Sequence, residues 1–267
     1  MLATVVASQP YGRATLLTVE FPVPNEAPTV AGRFFLARCT DGSPLDRTWD
    51  PYLRRTLRPI AYTLHEGKPQ YTLLVPAGDD PGDRWLAQRH LGDSIDLLGP
   101  AGNGFTLDAR SRALLLVSDQ TSAPLLFPLV HHMLDGGGRV TLLVRKESDP
   151  EAQTLPLDLL LQNLPLAVEA HAETSTAFAE TLANLGAWAD CVCIALTSSD
   201  PTAYSNLMRS LRAKRLRVDA GFAQALWPGA TPCGVGACLA CLAPLASGGF
   251  TRACTHGPVF DLIRLAA

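Results

Sequence analysis

The sequence predicts a β-barrel domain, then an α/β domain built on a parallel sheet, then a cysteine-rich C-terminal segment. Three observations carry that reading. The first hundred residues hold β-rich runs divided by Pro, Gly and Asp turns, and from Ala113 strands alternate with helices. Four of the seven cysteines fall within the last 35 residues. The expected boundaries are 1–108 for the barrel, 109–220 for the α/β domain and 221–267 for the cysteine segment.

Runs such as Ala14 to Phe21 and Tyr71 to Val75 read as strands, and a small closed barrel buries them naturally. Beyond it, strands are expected at 113–117, 140–144, 166–171 and 191–196, with helices at 123–134, 176–185 and 202–216. Ser122 before Ala123-Pro124 is the expected N-cap of the first helix, and Gly136-Gly137-Gly138 stops it. The alternation implies a parallel sheet covered on both faces.

Cys233, Cys238, Cys241 and Cys254 are separated by four, two and twelve residues. That is the spacing of a plant-type [2Fe-2S] site, with three thiolates from one tight loop and the fourth from a later return. Gly234 and Gly236 permit positive φ and let backbone amides approach sulfur. A structural zinc site also uses four thiolates but usually pairs two Cys-x2-Cys knuckles, of which there is one here; zinc remains the alternative. A disulfide framework is disfavoured by the odd count, the chain length and the lack of any segment resembling a signal peptide, so a reducing, cytoplasmic compartment is expected. Cys39, Cys191 and Cys193 lie in apolar runs and read as core thiols.

Composition excludes several classes. With 267 residues, 47% hydrophobic and a formal charge of −3, the chain is ordinary for two modest domains, and no basic patch points to nucleic acid. The cations of Arg209 to Arg217 read as the solvated face of a helix. Residues 223–251 contain no Asp, Glu, Lys, Arg or His, yet prolines and glycines interrupt them too often for a membrane span. Such an uncharged wall lowers the local dielectric around a cluster, and it could be a rim on which a partner docks.

Barrel, α/β domain and plant-type cysteine loop occur in this order in the electron-transfer subunit of dihydroorotate dehydrogenase, within the ferredoxin–NADP reductase superfamily. The resemblance covers almost the whole chain. It rests on 233–241 with Cys254 to Phe260, and on Leu98 to Phe105 at the barrel's exit. It implies a ferredoxin reductase-like fold, FAD on the barrel, a [2Fe-2S] cluster on the four cysteines and a nicotinamide site on the α/β domain. It also implies a catalytic partner, an FMN-dependent dihydroorotate dehydrogenase-like subunit, with a heterotetramer as one assembly.

For FAD, Arg58-Pro59-Ile60-Ala61-Tyr62 resembles the family's Arg-Pro-x-Ser segment, in which the arginine pairs with the pyrophosphate and the next residues follow the isoalloxazine edge. Ala61 replaces the serine. Gly82-Asp83 stands where the family has a Gly-Thr turn, and Asp83 beside phosphate is unfavourable unless Arg84 offsets it. Gly99, Gly102, Asn103 and Gly104 complete the expected flavin contacts. A surface arginine and an ordinary turn are the bland alternative.

The nicotinamide site departs further. The family's glycine-rich turn after the first α/β strand is here Ser118-Asp119-Gln120-Thr121-Ser122, and its Cys-Gly-Pro turn is Thr197-Ser198-Ser199. Side chains and the Asp119 charge would oppose a pyrophosphate, so NAD(P) binding is expected to be vestigial. No residue reads as a general base or nucleophile. His131 and His132 fall on a helix, His65 in a hairpin turn, and His256 beside a cluster ligand. The expected function is electron relay between FAD, the cluster and a partner dehydrogenase. The alternatives are a stand-alone NAD(P)H reductase and a non-catalytic cluster-binding subunit without FAD.

Overall fold

The computed structural model describes residues 1–22, 30–40, 53–147 and 155–265. Strands β1 (Leu2–Tyr11), β2 (Ala14–Glu20), β3 (Phe34–Arg38), β4 (Arg55–His65), β5 (Lys68–Val75) and β6 (Ser94–Ala101) close into a barrel in the order β1-β2-β5-β4-β3-β6. Period-two patterning makes this possible: Tyr71, Leu73 and Val75 of β5 are buried while Gln70, Thr72 and Leu74 are only half-buried. Phe21, Phe35 and Tyr71 meet inside with ring centroids 4.9–5.6 Å apart. Each buried Phe contributes about 1.5–3 kcal/mol of hydrophobic stabilisation.

The first hundred residues are not wholly β. Helix α1 (Pro81–Ala87) interrupts them, started by Asp80, whose side chain accepts from the amides of Gly82 and Asp83, and by Pro81 at the first helical position. Its Leu86 is fully buried in the barrel's core cluster.

The second sheet contains β7 (Ala113–Asp119), β8 (Arg139–Arg145), β9 (Val168–Glu173), β10 (Cys191–Ala195) and β11 (Ala223–Leu226). A two-stranded hairpin, β12 (Leu242–Pro244) and β13 (Phe250–Arg252), lies outside it, and β14 (Val259–Asp261) returns to its edge, giving the order β14-β11-β10-β7-β8-β9. Two expectations are corrected here. The sheet is parallel except at β14, which runs antiparallel to β11. The segment 221–267 does not follow the sheet; it supplies two of its strands and loops out between them. Four- and three-residue strands are too short for a periodic pattern to reveal.

Helices α2 (Phe127–Asp135), α3 (Leu157–Gln162), α4 (Ser175–Gly186) and α5 (Pro201–Lys214) cover the sheet. Ser122 is not the cap expected of it. It precedes a 3-10 turn, Ala123–Leu126, without a side-chain capping bond, and its amide donates to Asp119 instead. On α5, Tyr204, Leu207, Met208 and Leu211 are buried and Arg209, Arg212 and Lys214 lie on the exposed face, as the charge pattern predicts. Cys39, Cys191 and Cys193 are buried core thiols. Phe34 and Leu36 of the barrel share one apolar cluster with Cys241, Cys254 and the α/β core, so barrel, sheet and cysteine segment pack as one body. No helix among the described residues is long and apolar enough to cross a membrane.

Candidate metal and cofactor site

The four C-terminal thiols gather in two pairs. The Cys238 amide reaches the Cys233 sulfur, and the Cys254 amide donates to Cys241 Sγ at 3.5 Å. The amides of Cys238, Val235 and Ala237 converge on the Cys233 sulfur and hold its pKa down to about 6, whereas burial and the neighbouring Cys241 push Cys254 up to about 12. Gly234 and Gly236 adopt φ of +66° and +75°. A Cβ at Gly234 would sit 2.7 Å from Leu36 Cδ1, so a side chain there would meet both a left-handed backbone and a leucine that has to move. The Gly236 amide donates to Cys254 Sγ at 3.2 Å. Among the described residues no three His, Cys, Asp or Glu surround a single ion position. Two sulfur pairs suit two irons better than one tetrahedral zinc, which needs all four thiolates around one point.

Burial is graded across the set. Cys241 and Cys254 lie in the core while Cys238 is exposed, in a loop with the exposed Val235 and Leu239. The wall is less uncharged than the sequence suggests, because Arg252, just beyond the charge-free stretch, packs against Gly236. His256 is exposed and shares a hydrogen bond with Thr251 Oγ1 through Nδ1, which leaves the four sulfurs as the donor set.

Strand β4 joins this segment to the barrel. The Thr231 amide donates to Thr56 Oγ1 at 2.8 Å, and the two threonine hydroxyls are 3.1 Å apart. Arg58 is half-buried; its Nη2 donates to the carbonyls of Trp227 at 3.0 Å and Gly229 at 3.4 Å, while its Nη1 atom is buried with no partner. Burial lowers the Arg58 pKa to about 10. An orphaned guanidinium nitrogen at a cavity wall is an incomplete cradle for an anion.

Three cavities follow β4. One of ≈500 Å³ runs from Leu53 to Arg58 and ends at Gly229, Ala230 and Pro232, next to Cys233; one of ≈260 Å³ is lined by Thr56, Arg58, Leu196 and Pro228. A third, of ≈570 Å³, is lined by Ile60, Ala61 and Tyr62 together with Tyr11, Phe127, His131 and His132. Arg58, Ile60, Ala61 and Tyr62 therefore share one seam between barrel and α/β domain, with Pro59 buried in the strand between them.

The other expected flavin residues lie differently. Asp83 lines the ≈500 Å³ cavity, but Gly82 packs on Arg55, whose guanidinium would lie 2.7 Å from a Cβ there. Burial, then the nearby Asp80, raises the Asp83 pKa to about 6, and the cation that opposes this is Arg55 rather than the expected Arg84. Gly102 and Asn103 hold the cysteine segment, whereas Gly99 packs on Phe34 and Phe35 of the barrel. The Asn103 amide donates to Gly257 O at 2.8 Å, its side chain exchanges two hydrogen bonds with the Val259 backbone, and Gly102 lies against Pro258. Sequence reasoning missed Arg55, Asp80, Thr56 and Thr231. Only the Asp80-Pro81 helix start was legible among them.

The loop after β7 is filled by its own side chains. Asp119 is 3% exposed and accepts from the Ser122 amide, the Thr197 amide and the Thr197 hydroxyl at 2.7–2.9 Å. Gln120 bonds Leu155 O and the Glu147 amide.

Residues 232–266 match the family model of the iron-sulfur cluster binding domain of dihydroorotate dehydrogenase B. The electron transfer subunit of dihydroorotate dehydrogenase B (NAD(+)) from Shouchella clausii (strain KSM-K16) is 29% identical over 224 residues, 82% of each chain. Its counterpart from Bacillus caldolyticus is 28% identical over 216 residues, 79% of each. Among solved structures, a chain of the NADH-dependent reduced ferredoxin-NADP oxidoreductase, studied for flavin-based electron bifurcation, superposes with a TM-score of 0.71 at 17% identity, covering 99% of this chain and 89% of that one. The ferredoxin reductase of carbazole 1,9a-dioxygenase gives 0.56 at 16% identity, with 80% and 65% covered. The resemblance read from the sequence holds: on a ferredoxin reductase-like fold, the chain is related to the electron-transfer subunits of dihydroorotate dehydrogenase B.

Proposed function

We propose that this chain is an electron-transfer subunit that holds a [2Fe-2S] cluster on Cys233, Cys238, Cys241 and Cys254, carries FAD along β4, and relays electrons between them and a catalytic partner. The observation that carries this reading is Arg58. The half-buried side chain lines a groove that ends at Pro232 and keeps one buried nitrogen without a partner, while its other nitrogen grips the backbone just before the cysteine loop.

The residues present fit both groups. Cys233 and Cys238 would hold one iron, and Cys241 and Cys254 the other. Amides aimed at sulfur, with Arg252 packed against Gly236, stabilise negative charge on the centre. Arg58 would bind the pyrophosphate through its free nitrogen, with Ile60, Ala61 and Tyr62 along the ring. FAD, when bound, exchanges electron pairs for single electrons. The chain's own task is to hold the two centres side by side and keep water from the buried sulfurs of Cys241 and Cys254.

The exposed Cys238, Val235 and Leu239 of the cysteine loop form the face on which a catalytic partner docks. On the resemblance read from the sequence, that partner is an FMN-dependent dihydroorotate dehydrogenase-like subunit of pyrimidine biosynthesis, with a heterotetramer as one assembly. Seven free cysteines suit a reducing, cytoplasmic setting. The proposed units are the barrel to residue 108 and the α/β domain from 109, into whose sheet the cluster segment 221–267 is woven through β11 and β14.

One observation favours a second reading, a cluster-binding subunit without FAD: Asp80 already occupies Arg55 and the first amides of α1. Anaerobic purification followed by a visible spectrum, flavin extraction and iron and sulfide analysis separates the two. Flavin with two irons and two sulfides per chain supports the relay; iron without flavin supports the second reading, and zinc without iron overturns both.

A further inference from the structure

Phosphate-bearing ligands of open α/β sheets bind outside the carboxyl ends of the strands, where the strand order reverses, and they need free backbone amides there. In this sheet the reversal lies between β7 and β10, since the chain passes from β7 to β8 and β9 on one side and from β10 to β11 on the other. We propose that Asp119 latches this crevice shut, so that the chain takes no electrons from a nicotinamide dinucleotide and exchanges them by another route. The inference rests on the electron-relay reading only for what passes through the chain; the latch itself stands on geometry.

Both carboxylate oxygens of Asp119 are used. Oδ1 accepts the Ser122 amide at 2.9 Å from its own loop, and Oδ2 accepts the Thr197 amide at 2.7 Å and hydroxyl at 2.8 Å from the loop after β10. The latch therefore ties together the two loops that a dinucleotide would have to part, and it consumes an amide of each. The next residue of the second loop is fastened too, because Tyr204 donates its hydroxyl to Ser198 O at 3.0 Å. On the other side Gln120, 1% exposed, ties the first loop to Leu155 and Glu147. A phosphate would have to break charge-assisted hydrogen bonds and lie beside a buried carboxylate. The cavity between the two loops is ≈260 Å³, with Arg58 and Leu74 of the barrel on its far wall, below the roughly 300–1,000 Å³ of sites that enclose drug-sized ligands. A separate cavity of ≈510 Å³ is lined by Arg145, Ser198 and Arg209, and it lacks the Ser122 and Thr197 amides that the latch consumes.

The test uses the anaerobic holoprotein with NADH and NADPH, read by calorimetry and stopped-flow absorbance. The wild type is expected to show no saturable binding up to about 1 mM and no bleaching on the scale of turnover, about 1–1,000 per second. Asp119→Gly removes the carboxylate and bares the backbone, and should bring NADH affinity into the measurable range, a gain of at least about tenfold. Wild-type binding below about 100 μM, rapid bleaching, or a folded Asp119→Gly variant with no gain would overturn the latch. If that variant does not fold, hydrogen exchange of the wild type decides: the Ser122 and Thr197 amides should be protected, and free exchange at both overturns the proposal. Dithionite serves as the separate control. Failure to reduce any centre defeats the relay reading, while the binding measurements still judge the latch.

Discussion

Arg55 grips Asp80 through two bonds, Nε to Oδ1 at 2.6 Å and Nη2 to Oδ2 at 3.0 Å, and the same carboxylate caps α1 through the amides of Gly82 and Asp83. Arginine and helix start together make an anion site, and an internal carboxylate fills it. Arg55 holds the Asp80 pKa below the usual carboxylate range. With the Asp80 side chain 41% exposed, the pair is worth only about 0–1 kcal/mol. Its larger consequence falls on Asp83, which is left beside a carboxylate that stays ionised.

Asp83 therefore opposes folding when charged. Its folded pKa is raised from 3.8 to about 6 by burial and by Asp80, so the folded state binds more protons between those values and stability falls as pH rises through that window. Asp83→Asn should be near neutral at pH 4 and stabilising at pH 8. The ceiling is about 3 kcal/mol, and solvent screening reduces it to about 1–2 kcal/mol. It should also increase flavin retention, because one charge beside the pyrophosphate is removed. Denaturant midpoints at the two pH values check this, and equal changes at both would contradict it.

The sequence exposed the parts of this molecule whose signals are local. The spacing of Cys233, Cys238, Cys241 and Cys254, the positive-φ glycines between them and the long helices α4 and α5 need no tertiary knowledge. Long-range partners were hidden. Nothing near Asp119 announces Thr197, 78 residues away, and nothing near Asn103 announces Val259, 156 residues away. Strands β11 and β14 are legible only as members of a sheet, so their segment read as a separate piece. The Asp119 carboxylate was expected to repel a phosphate; the structure has it occupying the amides a phosphate would need.

Cys238→Ser should leave the fold intact and remove or destabilise the cluster, because Cys238 is exposed while thiolate is the ligand iron requires. Cys254→Ser should do both kinds of damage, since it places a hydroxyl in the apolar core at a cost of about 1–3 kcal/mol. Iron content and circular dichroism distinguish them. Two irons per chain retained in both variants would refute the ligand assignment.

Arg58→Met keeps the buried stem and deletes the cation. Flavin affinity should fall about ten- to a hundredfold, the equivalent of losing charge-assisted bonds worth about 1.5–3 kcal/mol. The carbonyls of Trp227 and Gly229 also lose their donor, so the variant should melt earlier even without flavin. Equilibrium dialysis and melting of the flavin-free protein read the two effects separately. Unaltered flavin retention would remove Arg58 from the site.

Asn103→Ala distinguishes a flavin contact from a structural brace. The side chain donates to Val259 O at 2.9 Å and accepts from Val259 N at 3.0 Å, fastening β14 and with it the return from the cysteine loop. Losing both bonds should cost about 1–3 kcal/mol, which for a chain of this size lowers the melting temperature by about 2–4 °C per kcal/mol. The flavin-to-protein ratio of the folded variant should equal the wild type's, because the lost bonds lie on the sheet side of the loop rather than on the β4 groove. The cluster should become more labile, since its fourth ligand, Cys254, lies five residues before Val259 on the segment that Asn103 holds. A variant that melts like wild type but loses flavin would return Gly99 to Gly104 to the flavin site and make the contacts with Val259 incidental.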